Sequence, residues 1–397
     1  MSPLMKHTDS EQALIALLPR EDSARALREK GLPGRRTENW RWSDLRGALK
    51  GPVALSDSFA GSEDKSLEAQ DALVFIFGNG QLLFFPDQLP DGIRYAPQTE
   101  QSETVEAALP QLAANLVEQT HVLTISRKTD RPVHFRYLSD GRGMHQTRLR
   151  VELARGAEAT IIEEFVGGDQ AWLFNSLSEF SLSENARLTR IVLQAAAPAA
   201  VTVNTCLLDL QASSQFHQTA LAFGGRLTRL ETRATHQADG AEAHINGAYL
   251  LDGQNHLDFT THVLHSAEEC ATSEIYKGVL TDASRGVFQG KFHVVRGAQK
   301  TDARMAHHAL LLSNTAEVNS KPELEIYADD VECAHGNTAG ALDDNALFYM
   351  RQRGLSENQS RAILVDAFVG EVLEQVEDEA LREQLVNRVT AFMESAA

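Results

Sequence analysis

The sequence predicts a mainly β protein, with a mixed region before the strands and a helical region after them. Between residues 121 and 342, runs of alternating apolar and polar residues recur at short spacing, separated by breaks of Gly, Asp, Asn or Ser and without a convincing helix between them. Alternation with a period of two is typical of strands that bury one face. Closely spaced strands form a sandwich, a barrel or a solenoid, and periodicity alone does not choose between these folds. The runs cover residues 148–153, 159–166, 186–193, 201–208, 216–222, 226–232, 243–250, 257–264, 272–280, 286–294, 303–311 and 317–326.

Residues 1–120 predict a region of mixed helices and strands. Residues 10–18 and 22–29 have the pattern of short helices. Residues 73–77 and 81–85 are apolar runs joined by Gly-Asn-Gly, which predicts a β-hairpin. A further helix is predicted over residues 107–119.

Residues 343–397 predict a helical subdomain. Asp343 or Asp344 can cap a first helix that ends at Gly354. Ser356 begins a capping-box pattern at the start of a second helix, and a third helix follows. Both of these longer helices carry apolar stripes. The stripes consist of Ile363, Leu364, Ala367, Phe368 and Val372 in the second helix and of Leu381, Leu385, Val389 and Phe392 in the third.

Composition and charge argue against several classes of function. The chain has 397 residues, of which 43% are hydrophobic and 23% charged, as is ordinary for a soluble protein. No run approaches the roughly 18 apolar residues of a membrane span, and the start lacks a signal-peptide pattern, so a cytoplasmic protein is expected. The net charge of −18 argues against nucleic acid and anionic membranes as partners. The only Gly-Lys pair, Gly290-Lys291, does not lie in a phosphate-binding loop, so nucleotide hydrolysis is not expected.

The sharpest candidate for chemistry is a thiol close to an imidazole. The three cysteines, Cys206, Cys270 and Cys333, are far apart, so one chain offers neither a disulfide framework nor a four-thiolate cluster site. Val331, Cys333 and His335 fall at i, i+2 and i+4, and a strand here would place all three on one face. Thiolate and imidazole together could hold a soft metal or pass sulfur along, whereas a lone cysteine is more often a small core residue.

Three motifs follow one another closely after residue 320. They read Lys-Pro-Glu-Leu-Glu-Ile at 321–326, His-Gly-x-Thr-x-Gly at 335–340 and Phe-Tyr-Met-Arg-x-Arg-Gly at 348–354, and an Arg-Arg-x-Glu-x-Trp run lies at 35–40. In their order and density these motifs resemble the SufB/SufD family, the scaffold subunits of iron–sulfur cluster assembly. The resemblance implies a right-handed parallel β-helix core over residues 121–342.

The resemblance also implies partners and site residues. The chain would be a non-catalytic scaffold in a SufBCD complex, paired with SufB through strand edges and docked to the ATPase SufC through residues 343–397. It implies that His335 lies at the SufB interface and contributes to the nascent cluster, with Cys333 as a weaker candidate. No cofactor is expected on the isolated chain; the cluster, and flavin, belong to the assembled complex, and a homodimer is an option without SufB. The residues expected at the SufC surface are Phe348, Tyr349, Met350, Ile363, Leu364, Phe368 and Val372.

Within the family, the chain resembles the SufD branch more than the SufB branch. The strand before Lys321 lacks a cysteine, and Gly336 directly follows His335 where SufB-type chains carry an acidic residue.

Two alternatives stay open. A β-helical hydrolase or lyase of acidic polysaccharides would need paired carboxylates and stacking aromatics in a groove, and aromatic residues are only 7% of the chain. A purely structural adaptor would differ only in having no chemistry at His335.

Overall fold

The computed structural model describes residues 6–395 apart from 19–20, 62–66, 70, 100–115 and 117–118. The predicted helix over residues 107–119 lies almost entirely outside the described residues. Within the described part of the chain, no helix is both long enough and apolar enough to cross a membrane.

Helices occupy the two ends of the chain, and strands occupy the middle. The helices are α1 (Asp9–Leu17), α2 (Glu21–Lys30), a 3-10 helix (Glu38–Trp40), α3 (Leu45–Ala48), α4 (Asp344–Gln352), α5 (Glu357–Leu373) and α6 (Glu379–Ser395). The strands are β1 (Leu73–Gly78), β2 (Gln81–Phe84), β3 (Ile93–Gln98), β4 (Thr120–Ile125), β5 (Val133–Ser139), β6 (Gly143–Leu153), β7 (Glu158–Gly167), β8 (Trp172–Leu182), β9 (Arg187–Ala195), β10 (Val201–Leu210), β11 (Gln215–Ala222), β12 (Leu227–His236), β13 (Glu242–Leu251), β14 (His256–His265), β15 (Ala271–Leu280), β16 (Arg285–Val294), β17 (Asp302–Leu311), β18 (Glu317–Ile326) and β19 (Glu332–Gly340).

The strands wind into a parallel β-solenoid with two facing sheets. One sheet has the order β19-β17-β15-β13-β11-β9-β7-β5-β1-β2, and the other has the order β18-β16-β14-β12-β10-β8-β6-β4-β3. From β4 onward, successive strands therefore alternate between the sheets, and every ladder among β4 to β19 is parallel. The predicted parallel β-helix core with helices at both ends is confirmed, and each predicted strand has its counterpart.

The space between the sheets is a buried core. Because the ladders are parallel and in register, inward-facing residues of successive turns stack in columns, and aromatic rings follow one another along the axis. The ring of Tyr137 lies 4.7 Å from that of Phe165, centroid to centroid, and the ring of Phe288 lies 5.0 Å from that of His307. The first contact joins neighbouring turns within one ladder, and the second crosses the core between the two sheets.

Helices cover part of the outer face of each sheet. The N-terminal helices bury Leu14 and Leu27 with Val201 and Leu227 of the nine-stranded sheet. Helices α5 and α6 pack on the ten-stranded sheet in one cluster. Its buried members include Ile191, Leu221, Leu250 and Val279 from the sheet, Val365, Val369, Val372, Leu373 and Val376 from α5 and its C-terminal end, and Leu381, Leu385 and Val389 from α6.

The buried face of α5 is not the stripe that the sequence predicts. Val372 is buried as expected, but Ile363 and Ala367 are exposed, and Leu364 and Phe368 are only half-buried. The predicted caps are confirmed. Asp343 accepts a hydrogen bond from the amide of Asn345, and Ser356 forms the capping box of α5.

The two ends of the solenoid differ. At the N-terminal end, the short strand β2 pairs antiparallel with β1, and β3 pairs antiparallel with β4. At the C-terminal end, β18 and β19 are the outermost strands, and each has one ladder partner among the described residues. The last turn therefore presents two free strand edges, which we call the open end.

Candidate functional site

The open end carries the thiol and the imidazole on the face that points between the sheets. In the ladder of β17 with β19, Ala303 pairs with Cys333 and Met305 pairs with His335. Ala303 and Met305 belong to the core between the sheets. Residues paired in a parallel ladder point to the same face, so Cys333 and His335 do too, about 7 Å apart along the strand. The prediction that a strand places Cys333 and His335 on one face is confirmed, but Val331 precedes β19 and is not part of it.

Cys333 and His335 differ in their surroundings. His335 is exposed, because no further turn covers its column. Cys333 is half-buried beside Val294, Ala298 and Ala328, and burial raises the pKa of its thiol. At neutral pH Cys333 is therefore a thiol and not a thiolate, which makes it the poorer metal ligand of the two.

The two side chains do not form a complete metal site on their own. Among the residues that the structure describes, no group of three or more His, Cys, Asp or Glu side chains is placed to hold a metal ion.

Behind His335, a column of inward-facing residues runs along the ten-stranded sheet. His335 follows Met305, which follows Glu274. Glu274 is fully buried, accepts a hydrogen bond from Thr261 Oγ1 at 2.8 Å, and has a second carboxyl oxygen without a partner. Burial raises the pKa of Glu274 to about 8, so this carboxyl group is largely protonated at neutral pH. Sequence reasoning missed Glu274, because nothing in its motif distinguishes it from a solvent-facing acid.

The Lys-Pro-Glu-Leu-Glu motif forms the other edge of the open end. Leu324 packs against the core, and the charged residues of the motif point outward. Lys321 Nζ lies 2.8 Å from Glu323 and 3.2 Å from Glu38, so the motif touches the Arg-Arg-x-Glu-x-Trp segment near the N-terminus. Pro322 lacks an amide donor, which an edge strand tolerates.

The Arg-Arg-x-Glu-x-Trp segment is fixed on the nine-stranded sheet by a buried charge cluster. The guanidinium of Arg229 lies 4.2 Å from the ring centroid of Trp40 and donates to Asp258 at 2.6 Å and to Asn39 O at 2.8 Å. Ser43 also donates to Asp258. The tryptophan at 40 is therefore structural.

The C-terminal helices present an exposed apolar surface. Phe348 is 66% exposed, Tyr349 is 60% exposed, and Ile363 is also exposed. Met350, Leu364 and Phe368 are half-buried, whereas Val372 is 1% exposed. Of the seven predicted docking residues, Val372 thus lies in the core under α5 and the other six reach the surface.

One ion pair ties α5 to the sheet. Lys277 on β15 is buried and pairs with Glu371 of α5, and its ammonium lies 4.8 Å from the ring centroid of Phe368. Lys277 belongs to the Ser-Glu-x-Tyr-Lys-Gly segment at 273–278. The segment therefore anchors the helix that carries part of the exposed surface.

The fold and its open end define a parallel β-solenoid whose last turn leaves both strand edges free. Residues 135–368 match the model of the SUF system FeS cluster assembly SufBD core domain, and the chain belongs to that family. It is 29% identical to the iron-sulfur cluster assembly protein SufD of Escherichia coli K12, over 91% of this chain and 90% of the relative. An iron-sulfur cluster assembly SufBD family protein of Synechocystis is also 29% identical, over 91% and 88%. The predicted membership in the SufB/SufD family is confirmed, and the first of these similarities supports its SufD branch.

Proposed function

We propose that this chain is a SufD-type scaffold subunit of a SufBCD complex, which pairs with SufB at its open end and docks the ATPase SufC on its C-terminal helices. The observation that carries the proposal is the position of His335, on the inward face of a last turn that no other described strand covers. In this proposal the chain catalyses no reaction of its own, and the complex is cytoplasmic.

The free edges of β18 and β19 support the choice of partner. Each edge offers a row of amide and carbonyl groups, which in a lone chain invites pairing with a strand of another molecule. A sister solenoid can continue both sheets at once and cover Leu324 and Cys333. SufB, as the sister subunit of this family, is the partner that fits this geometry.

His335 then lies inside the seam between two subunits. An imidazole can ligate iron or accept a proton, and the partner would supply the thiolate ligands that this chain lacks. The assembling cluster is the cargo of this site. Cys333 contributes less, because its thiol is neutral and half-buried.

The exposed apolar surface of α4 and α5 is the docking site for SufC in this proposal. Only residues 341–343 separate β19 from α4, so a displacement of α4 is passed directly to the strand that carries His335. ATP-driven movement of a docked subunit could in this way change the geometry of the seam.

Replacing His335 with alanine is expected to reduce the maturation of iron–sulfur enzymes at least tenfold in cells that depend on this chain under iron limitation. The reason is that the seam loses the imidazole of His335, which faces between the sheets, while the strand edges proposed to bind SufB are unchanged. The measurement is the activity of an iron–sulfur enzyme together with copurification of SufB. The matched control is His217→Ala, an exposed histidine on the outer face of β11. Normal maturation in the His335→Ala strain would show that the chain is an adaptor without chemistry at this residue.

Replacing both Phe348 and Tyr349 with serine is expected to weaken SufC binding at least tenfold, because both rings are exposed and would be buried by a docked partner. Binding can be measured by calorimetry with the purified ATPase. The double variant Leu83→Ser/Phe84→Ser removes similar exposed apolar area at the other end of the solenoid and should bind normally. Deletion of residues 343–397 is a poorer test, because it would also uncover the cluster under α5 and α6. Undiminished binding by the Phe348/Tyr349 variant would rule out this docking surface.

A further inference from the structure

Asn337 of β19 and Ser320 of β18 face each other across the open end. In the ladder of β17 with β19, His307 pairs with Asn337, and in the ladder of β16 with β18, Phe288 pairs with Ser320. The rings of His307 and Phe288 meet in the core, with centroids 5.0 Å apart. Residues paired in a parallel ladder point to the same face, so Asn337 and Ser320 occupy the corresponding positions one turn further on.

The side chains of the last turn leave a gap between the sheets. Facing sheets lie about 10 Å apart, a distance that two rings fill one turn below but that an amide and a hydroxyl group cannot span. His335 and Pro322 continue the gap, because they pair with Met305 and Gly290, which face each other across the core. We call this gap the cradle, and its lining residues are His335, Pro322, Asn337 and Ser320.

The cradle is polar but has no carboxylate, ammonium or guanidinium group facing into it. Asn337 and Ser320 are exposed, and neither has a hydrogen bond with any residue that the structure describes. The acidic and basic residues of β18 and β19 alternate with the inward-facing ones and point outward. They are Glu317, Lys321, Glu323, Glu325 and Glu332. On a chain with a net charge of −18, the cradle therefore offers hydrogen-bond donors to an anion without a carboxylate that repels it.

We propose that Asn337 and Ser320 donate hydrogen bonds to the sulfide atoms of the cluster that assembles beside His335. The inference rests on the function proposed above and adds the residues that hold the sulfur side of the cargo. The Asn337 amide offers two N–H donors and the Ser320 hydroxyl offers one. Asn337 lies about 7 Å from His335 along the strand, so a cluster ligated by this imidazole is within reach of the amide.

Burial at the seam strengthens the need for an acceptor. A sister solenoid that covers the last turn removes both side chains from water, and a buried donor without an acceptor costs about 1–3 kcal/mol. Sulfide is an anionic acceptor at the position that the cradle leaves open. Hydrogen bonds to the sulfur atoms of a cluster also help to set its reduction potential.

The test uses the complete SufBCD complex, loaded with Fe²⁺ and sulfide without oxygen. Asn337→Leu keeps the size of the side chain and removes its donors. We expect this complex to lose its cluster to an iron chelator about tenfold faster than the parent complex. Its reduction potential should become more negative, because hydrogen bonds to sulfur favour the reduced cluster. Ser320→Ala should act in the same direction, and Asn337→Gln, which keeps the donors, should remain closer to the parent in both measurements.

The matched control is Thr338→Val, at the next residue of β19, whose hydroxyl points outward and lies 2.7 Å from His308 Nδ1. An Asn337→Leu complex with the cluster lifetime and potential of the Thr338→Val complex would overturn the proposal. Weaker copurification of SufB with unchanged cluster properties would also overturn it, since Asn337 would then bind the partner subunit. Failure of the proposed function has a different signature, because the parent complex itself would take up no cluster, and the inference would fail with it.

Discussion

Between pH 6.5 and pH 5.5 the isolated protein is expected to lose up to about 5 kcal/mol of its unfolding free energy, and it should unfold in mild acid. Five buried histidines produce this effect. Burial lowers the pKa of His121, His236 and His307 to about 4, that of His145 to about 3 and that of His265 to about 2. All five side chains are at most 8% exposed.

The sign follows from which state binds the proton. The folded pKa of each imidazole lies below its unfolded value of 6.5, so below pH 6.5 the unfolded chain binds more protons than the folded one. Each imidazole then removes about 1 kcal/mol of stability between pH 6.5 and pH 5.5 and about 1.4 kcal/mol per pH unit below that, until its folded pKa is reached. Five such groups together reach the range of the whole stability of a typical domain, about 5–15 kcal/mol.

The environment of one histidine pair shows why protonation is so unfavourable. The rings of His236 and His265 stack inside the solenoid with centroids 4.4 Å apart, and both share the hydroxyl of Thr272. A charge on either ring would have no counter-ion, and a second charge would repel the first. Urea unfolding between pH 7 and pH 5 measures the effect, and a midpoint that does not change with pH over this range would contradict it.

Glu274 provides an internal control of opposite sign. Its folded pKa of about 8 exceeds the unfolded value of 4.5, so its contribution to stability is present below pH 4.5 and is lost as the pH rises towards 8. Glu274→Gln should therefore gain stability over the parent at pH 8 and gain little at pH 5. A variant equally affected at both pH values would show that the carboxyl group is not protonated in the folded state.

Gly278→Val is expected to destabilise the protein by about 3–5 kcal/mol or to prevent its folding. A Cβ atom at Gly278 would overlap the ring of Tyr249, and one at Gly286 on the opposite sheet would lie 2.7 Å from the same ring. The ring of Tyr249 is held between these two glycines by its hydroxyl group, which lies 2.9 Å from His307 Nε2. Displacing the ring would overpack the core and leave two buried polar groups without partners.

Gly168→Ala is the matched control for this substitution. A Cβ atom at Gly168 meets no atom within 4 Å, and its backbone does not require glycine. We expect its unfolding free energy to stay within about 0.5 kcal/mol of the parent. A Gly278→Val variant that unfolds at the same denaturant concentration as Gly168→Ala would show that the Tyr249 ring can move to make room for a side chain at position 278.

Local signals in the sequence predicted local structure well. The capping box at Ser356, the aspartate cap at 343 and the hairpin around Asn79 each depend on a few neighbouring residues, and all three are present. Strand β8 was not predicted. Ser176 and Ser178 face the interior while Leu177 faces outward, so β8 lacks the alternation of inward apolar and outward polar residues from which the other strands were predicted.

The residue pattern alone did not predict that the strands wind into a solenoid. A repeat in the sequence would have indicated a solenoid. The column behind His335, however, contains Met305, Glu274, Ile245 and Gln218, whose side chains have no chemical property in common. Stacking requires only that neighbouring turns fit each other. For this reason, the resemblance was needed to choose the fold.

The face of α5 that packs on the sheet was predicted incorrectly for a similar reason. Apolar residues lie on nearly every side of this helix, from Ile363 to Val372, so its period does not single out one face. The sequence also could not predict that His335 is exposed, because its exposure depends on β19 lying in the last turn of the solenoid.

The difference between the two ends of the solenoid has a consequence for how such chains could assemble. A solenoid with the same parallel edges at both ends could add molecules without limit and form a filament, as heterologous contacts do when they fail to close. Here the N-terminal end of the solenoid is formed by β2 and β3. Both strands run antiparallel to their ladder partners, so this end does not present the parallel edges found at the open end. If two molecules join through β18 and β19, no second parallel edge of this kind remains among the described strands, so we expect a discrete pair and not a filament.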